Sequence, residues 1–121
     1  MVKKKILLVD DDEDIIKMNK LMLSELGFEV ISASSGEEAI EKAGSESPDL
    51  ILLDVMMPEI DGLQTLAMLK NKPETSSIPV LMLSGAGEKI AQNNAMLAGA
   101  ADYIMKPFNS EMLLEAIKKH L

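Results

Sequence analysis

The feature that most constrains this chain is a strict alternation of short apolar runs with segments in which apolar residues recur at helical spacing. The apolar runs lie at 6–9, 28–33, 50–53, 78–83 and 102–105. The helical segments lie at 13–26, between Gly36 and Pro48, and at 62–71, 88–98 and 109–121. Such alternation predicts an α/β fold, in which a parallel sheet carries helices on both faces and every crossover is right-handed. We therefore predict a doubly wound, five-stranded parallel sheet.

Length and composition limit the class of protein further. The 121 residues match the usual size of one domain, so we predict a single domain that spans residues 1–121. The chain has no cysteine, which excludes a disulfide scaffold and thiolate metal sites. Its 20 acidic residues outnumber its 12 basic residues, all of which are lysine. This balance argues against direct binding of nucleic acid, because phosphate contact requires a basic surface.

No apolar segment is long enough to span a membrane. A membrane-spanning helix needs about 20 apolar residues, and no run in the chain approaches that length. The apolar stretch that follows the lysines at 3–5 is also shorter than the core of a signal peptide, which has about 7–15 residues. We therefore expect a soluble, acidic, cytoplasmic protein with no membrane insertion.

Polar side chains follow four of the five predicted strands. They are Asp10, Asp11 and Asp12 after the first strand, Asp54 after the third, Ser84 after the fourth and Lys106 after the fifth. In open parallel sheets, binding and catalytic groups gather at the carboxyl ends of the strands. A single polar residue at one strand end is ordinary, but such residues at four strand ends favour a functional site.

The carboxylates at these strand ends predict a cation. If Asp10, Asp11 and Asp54 converge, each pair of like charges about 4 Å apart costs roughly 4 kcal/mol at an effective dielectric near 20. Either a carboxyl group is protonated or a cation binds. With oxygen ligands only, Mg²⁺ is the natural fit, and it often shares its shell with phosphate oxygens. An aspartate can accept a phosphoryl group as a nucleophile, and a lysine and a hydroxyl nearby can bind the added oxygens.

Four motifs at these strand ends occur together and in order along the chain. They are Val9-Asp10-Asp11-Asp12, Leu53-Asp54-Val55-Met56-Met57-Pro58-x-x-Asp61-Gly62, Leu83-Ser84-Gly85 and Tyr103-x-x-Lys106-Pro107-Phe108. This set resembles the receiver domain of bacterial response regulators, the two-component signalling family that includes the chemotaxis regulator, over the whole chain. The resemblance implies a flavodoxin-like sheet with strand order 2-1-3-4-5, which alternation alone does not determine.

The resemblance implies a role for each acidic residue of the site. Asp54 would be the phosphoacceptor, which takes a phosphoryl group from a sensor histidine kinase or a histidine phosphotransfer protein. Asp11 and Asp54 would be carboxylate ligands of Mg²⁺, and Asp10 would act mainly through a metal-bound water. The backbone carbonyl of Met56 would complete the protein ligands. Asp12 lies outside this pattern, and we predict that it caps the first helix.

The resemblance also implies a switch. Lys106 would pair with the acyl phosphate, and a cis peptide bond at Pro107 would set its direction. Ser84, where many members have threonine, would move toward the phosphoryl group, and Tyr103 would turn inward; ordinary half-buried packing of Tyr103 is the alternative. The surface of the fourth helix, fifth strand and fifth helix would then change shape. We further expect the segment 85–89 to be mobile without phosphate.

Other functions remain open at this point. Asp10-x-Asp12 also resembles the nucleophile motif of haloacid-dehalogenase-like phosphatases, although that family is longer and leaves the Asp54 motif unexplained. A pseudo-receiver that binds partners without phosphorylation is a third possibility. We favour a signalling switch, not an enzyme, that catalyses its own phosphorylation and slow dephosphorylation. Met1 at the start favours a stand-alone receiver over a part of a longer regulator, and the downstream effector is unknown.

Overall fold

The computed structural model describes residues 3–55, 61–85 and 89–121. Within these ranges strands and helices alternate strictly, as the apolar pattern predicts. The strands are β1 (Lys5–Val9), β2 (Glu29–Ala33), β3 (Leu50–Asp54), β4 (Val80–Ser84) and β5 (Asp102–Met105). The helices are α1 (Glu13–Glu25), α2 (Gly36–Glu46), α3 (Gly62–Lys70), α4 (Lys89–Leu97) and α5 (Ser110–Lys119).

The strands form one parallel sheet in the order β2-β1-β3-β4-β5. The doubly wound, flavodoxin-like arrangement is therefore confirmed. The register brings the carboxyl ends of the strands level, because Val9 pairs with Leu53, Asp54 with Leu83 and Ser84 with Met105. Asp10 and Lys106 directly follow two of these paired residues. Side chains from four strands consequently reach the same edge of the sheet.

The core lies on both faces of the sheet. On one face Leu7 and Leu53 pack in a cluster with α2, α3 and α4, and on the other face Leu8 and Leu52 pack with α1 and α5. The central strands β1 and β3 read as continuous apolar runs because they are covered on both sides. Within the described ranges, no helix has the length and apolar character that crossing a membrane requires.

Polar residues begin the helices. Asp12 caps α1 as predicted, since its Oδ1 accepts hydrogen bonds from the backbone N–H groups of Asp14 and Ile15 at 2.9 and 3.3 Å. Asn109, which the sequence assigned to the last helix, instead precedes α5 and caps it by accepting from the Met112 N–H at 2.8 Å. Each cap satisfies an N–H group that has no partner inside the helix.

The fourth strand begins later than the sequence predicts. β4 starts at Val80, not at Ile78, because the backbone of Ile78 belongs to a turn. Its N–H donates to the Thr75 carbonyl at 3.1 Å, and its carbonyl accepts from Lys70 Nζ at 2.7 Å. The Ile78 side chain is still buried in the core. The apolar pattern therefore identified a core position correctly and the strand boundary wrongly.

Candidate functional site

Three carboxylates meet at the edge of the sheet where β1 and β3 end. Asp10 and Asp54 are 1% and 5% exposed, whereas Asp11 is exposed. One carboxylate oxygen from each residue lies within 4.8 Å of the other two. The predicted convergence is thus confirmed. Like charges at this separation repel by about 3 kcal/mol per pair at an effective dielectric near 20, so the cluster favours a proton or a cation.

The carboxyl group of Asp10 is only half satisfied. Its Oδ1 accepts a hydrogen bond from the Asp12 N–H at 3.0 Å. Its Oδ2 is buried and has no hydrogen-bond partner among the residues that the structure describes. Burial raises the pKa of this carboxyl to about 6; the bond from Asp12 lowers the pKa, and the charge of Asp54 raises it further. Because an unpaired buried oxygen is costly, this atom is poised to bind a cation or a proton.

Lys106 approaches the carboxylates from the end of β5. Its Nζ donates a hydrogen bond to Asp54 Oδ1 at 3.1 Å, and its backbone N–H donates to the Ser84 carbonyl at 2.7 Å. The peptide bond between Lys106 and Pro107 is cis, as the resemblance implies. The Lys106 side chain is 35% exposed while that of Asp54 is 7% exposed. An ammonium group of the protein therefore already touches the predicted phosphoacceptor.

Ser84 is fully buried at the end of β4 and contacts a residue that the sequence analysis did not single out. Its Oγ accepts a hydrogen bond from Nε2 of Gln92 on α4 at 2.8 Å. Gln92 is only 4% exposed. The sequence indicates this residue only through its position three residues before Ala95, which places it on the inward face of the helix that follows Ser84. A polar side chain on that apolar face needs a buried partner.

Gly62 sets the close packing of α3 against the end of β3. A Cβ atom at this position would lie 2.2 Å from the Asp54 carbonyl oxygen and 2.7 Å from the Val55 Cα. The Gly62 N–H donates to the Val55 carbonyl at 3.0 Å. Asp61 completes this junction as the N-cap of α3, in a capping box with Gln64. The Asp61-Gly62 part of the motif therefore holds the backbone beside Asp54.

Tyr103 lies on β5 at some distance along the sheet from the carboxylates. It is 40% exposed, and Met105 and Met112 beside it are exposed to a similar degree. These residues line a shallow pocket between β5 and α5. At the start of the strand, Asp102 Oδ2 lies 3.2 Å from Nε2 of His120 at the end of α5. Tyr103 is thus partly exposed at the surface.

Methionines on α1 divide between surface and core. Met18 is 65% exposed, whereas Met22 is half-buried and packs against the core. Leu21, also on α1, is 63% exposed. The apolar surface that α1 exposes therefore includes Met18 and Leu21 but not Met22.

Two predictions fall outside the described residues. Met56, whose backbone carbonyl the resemblance implies as a metal ligand, belongs to 56–60. Most of the segment 85–89, which we expect to be mobile, belongs to 86–88. Both remain predictions from the sequence.

Comparison with known proteins places the chain in a family. The model of the response regulator receiver domain matches residues 6–118. The alkaline phosphatase synthesis transcriptional regulatory protein PhoP of Bacillus subtilis is 40% identical over 117 residues, which cover 97% of this chain and 48% of PhoP. Protein PilG of Pseudomonas aeruginosa is 37% identical over 117 residues, which cover 97% of this chain and 87% of PilG. The chain thus spans about half the length of PhoP and most of PilG.

Solved structures agree with the sequence comparison. The chemotaxis protein CheY4 of Vibrio cholerae superposes with a TM-score of 0.92 at 32% identity, covering 99% of this chain and 100% of CheY4. The receiver domain of NtrX from Brucella abortus superposes with a TM-score of 0.89, also at 32% identity, covering 96% of this chain and 97% of that domain. Together with the family match over 6–118, these likenesses show that the chain belongs to the receiver domain family of two-component response regulators.

Proposed function

We propose that this receiver domain accepts a phosphoryl group on Asp54 from a sensor histidine kinase or a histidine phosphotransfer protein. The observation that carries the proposal is the surroundings of Asp54. Its carboxylate is buried, receives a hydrogen bond from Lys106 Nζ at 3.1 Å and lies within 4.8 Å of oxygens from two further carboxylates. The proposed nucleophile, the Lys106 ammonium group and a potential metal site therefore lie together at the Asp54 carboxylate.

The residues present fit Mg²⁺. Asp10, Asp11 and Asp54 offer hard oxygen ligands at short mutual distances, and the unpartnered Oδ2 of Asp10 is an oxygen that lacks a donor among the described residues. Asp11 and Asp54 would bind the ion directly, Asp10 mainly through a water, and the Met56 carbonyl would complete the protein ligands. When bound, Mg²⁺ supplies positive charge to the carboxylates and to the phosphoryl oxygens.

The chain's own residues supply the rest of the chemistry. A carboxylate oxygen of Asp54 forms a bond to phosphorus while the bond from phosphorus to the donor's histidine nitrogen breaks, and that nitrogen keeps the electron pair of the broken bond. The Lys106 ammonium and the Ser84 hydroxyl then donate hydrogen bonds to oxygens of the acyl phosphate. The new charge draws Ser84 toward Asp54, and Tyr103 turns inward. The surface of α4, β5 and α5 changes shape as a result.

The wider role follows from this switch. The domain acts in signalling, where it promotes its own phosphorylation and slow dephosphorylation and presents the altered surface to an effector or passes its phosphoryl group on. We also propose that the domain acts in the cytoplasm and that the receiver spans residues 1–121. Family membership argues against a phosphatase in which Asp10 would be the nucleophile.

Acyl-phosphate trapping tests the proposal. The protein, Asp54→Asn and Asp10→Asn are incubated with acetyl phosphate and Mg²⁺, and the mass of the intact chain is measured. Wild type should gain one phosphoryl group, Asp54→Asn none, and Asp10→Asn should gain it more slowly. A label that is lost with Asp10→Asn and kept with Asp54→Asn would identify a phosphatase-like nucleophile. No label on wild type would indicate a pseudo-receiver and overturn the proposal.

A further inference from the structure

Gln92 is a buried amide whose position the phosphoryl chemistry does not by itself explain. It lies in the middle of α4 at 4% exposure, where an amide without hydrogen bonds is costly. Its Nε2 donates to Ser84 Oγ at 2.8 Å and lies 3.4 Å from the Gly85 carbonyl oxygen. The first contact is with the last residue of β4 and the second with the residue that follows it. β4 pairs with β3, which ends at the proposed phosphoacceptor Asp54.

These two contacts fix the direction of the hydrogen bond to Ser84. A carbonyl oxygen can only accept, so the contact with Gly85 identifies the atom facing it as the amide nitrogen and not the amide oxygen. Ser84 Oγ must therefore accept from Gln92. A serine hydroxyl has one proton and two lone pairs. With one lone pair taken by Gln92, its proton is left for another acceptor, such as a phosphoryl oxygen on Asp54.

The same bond ties Ser84 to a helix of the switch surface. Gln92 lies one turn before Ala95, which is fully buried in the core. The chain connects Ser84 to α4 through 85–88, but the bond from Gln92 joins them directly across space. A movement of the Ser84 hydroxyl would therefore be transmitted through this hydrogen bond to the middle of α4.

We infer that Gln92 is a positioning residue for Ser84, which keeps its hydroxyl oriented as a donor to the phosphoryl group on Asp54 and couples its movement to α4. This inference rests on the proposed phosphorylation of Asp54. It adds a specific side chain through which α4 responds.

The test compares Gln92→Met with Asn93→Met. The first variant keeps the buried volume but removes the amide donor, and the second alters an exposed amide on the same helix. Both are treated with acetyl phosphate and Mg²⁺. Intact mass reports phosphorylation, and amide hydrogen exchange reports the response of α4. Gln92→Met should still be phosphorylated but should lose the change in exchange across α4, whereas Asn93→Met should behave like wild type.

The outcomes separate this inference from the proposed function. An unchanged α4 response in phosphorylated Gln92→Met would overturn the inference alone. A lower urea midpoint with that response preserved would show a merely structural role and would overturn it too. If Gln92→Met does not fold, Gln92→Asn, whose amide is one methylene too short to reach Ser84, should show the same uncoupling. Failure of wild type to take up a phosphoryl group would overturn the proposed function and this inference with it.

Discussion

A single carboxyl group, that of Asp10, shows how the fold prepares its site at the scale of one residue. Asp10 directly follows four buried residues of β1, so its side chain lies in the interior, where one of its oxygens finds no partner among the described residues. Neighbouring Asp11 is exposed and Asp12 caps a helix. The acidic run at 10–14 therefore contains residues in different environments, which substitutions at Asp10, Asp11 and Asp12 can distinguish.

The first prediction concerns the pH dependence of stability without Mg²⁺. Burial raises the pKa of Asp10 from 3.8 to about 6, so between these values the folded state binds more protons than the unfolded state. Stability therefore falls as pH rises through this window, by about 3 kcal/mol at most, since one pKa unit is worth 1.36 kcal/mol. Asp10→Asn cannot ionise and should gain stability relative to wild type from pH 4 to pH 7. Urea unfolding measures the difference.

The control for this prediction is Asp11→Asn, which removes an exposed carboxylate. Its stability relative to wild type should change little over the same pH range. A difference between wild type and Asp10→Asn that does not vary with pH would contradict the assigned burial of the Asp10 charge.

The second prediction separates the helix cap at Asp12 from the proposed metal site. Asp12→Ala removes the Oδ1 that accepts from Asp14 and Ile15 and should cost about 1 kcal/mol of stability. It should leave Mg²⁺ affinity nearly unchanged, because the bond to Asp10 comes from the backbone N–H of residue 12. Asp11→Ala should weaken Mg²⁺ binding and leave stability nearly unchanged. Urea unfolding and calorimetric titration with Mg²⁺ give the two readouts, and loss of Mg²⁺ binding in Asp12→Ala would make Asp12 a ligand.

At the scale of elements, the sequence predicted what depends on local pattern and missed what depends on contacts. The alternation of strands and helices and the cap at Asp12 are local, and both are confirmed. The predicted start of β4 was wrong, because Ile78 lies in a turn where its carbonyl accepts a hydrogen bond from Lys70. The Ile78 side chain nevertheless stays in the core. Gln92 was missed because its role depends on Ser84, which is eight residues away in sequence.

The third prediction concerns the junction of β3 and α3. In Gly62→Ala the new methyl group would clash with the backbone of Asp54 and Val55, which forces α3 away from the strand. Overpacking of this kind costs about 1–3 kcal/mol, occasionally more, and should also slow phosphorylation by displacing Asp54. Urea unfolding and acetyl-phosphate labelling measure the two effects.

Gly44 offers a matched control for this prediction. It is an exposed glycine within α2, and among the described residues a Cβ there would meet nothing closer than Glu74 Cγ at 4.0 Å. Gly44→Ala should stabilise the protein by about 0.5–1 kcal/mol, because alanine has the higher helix propensity. Equal effects of the two substitutions would show that close packing at Gly62 is not what makes glycine necessary there.

At the scale of the whole molecule, the sheet order joins the proposed phosphoacceptor to the proposed switch surface through neighbouring strands. β3 carries Asp54, β4 carries Ser84 and β5 carries Tyr103, and these strands are neighbours in that order. The order itself came from the family resemblance, since alternation of strands and helices does not determine which strands pair. The sequence pattern does not supply the exposure of each side chain, on which the proposed switch depends.

The last prediction uses Tyr103 as a reporter of that switch. It is the only tyrosine in a chain without tryptophan, so tyrosine fluorescence comes from this residue alone. At 40% exposure in the resting state, it should be quenched by acrylamide. Beryllium fluoride, a phosphoryl analogue, should reduce this quenching in the presence of Mg²⁺, because the proposed switch moves Ser84 toward Asp54 and turns Tyr103 inward. Ser84→Ala should bind the analogue without the change in quenching, and Asp54→Asn should not respond. Wild type that binds the analogue with Tyr103 equally quenched would show that the signal leaves the site without this residue.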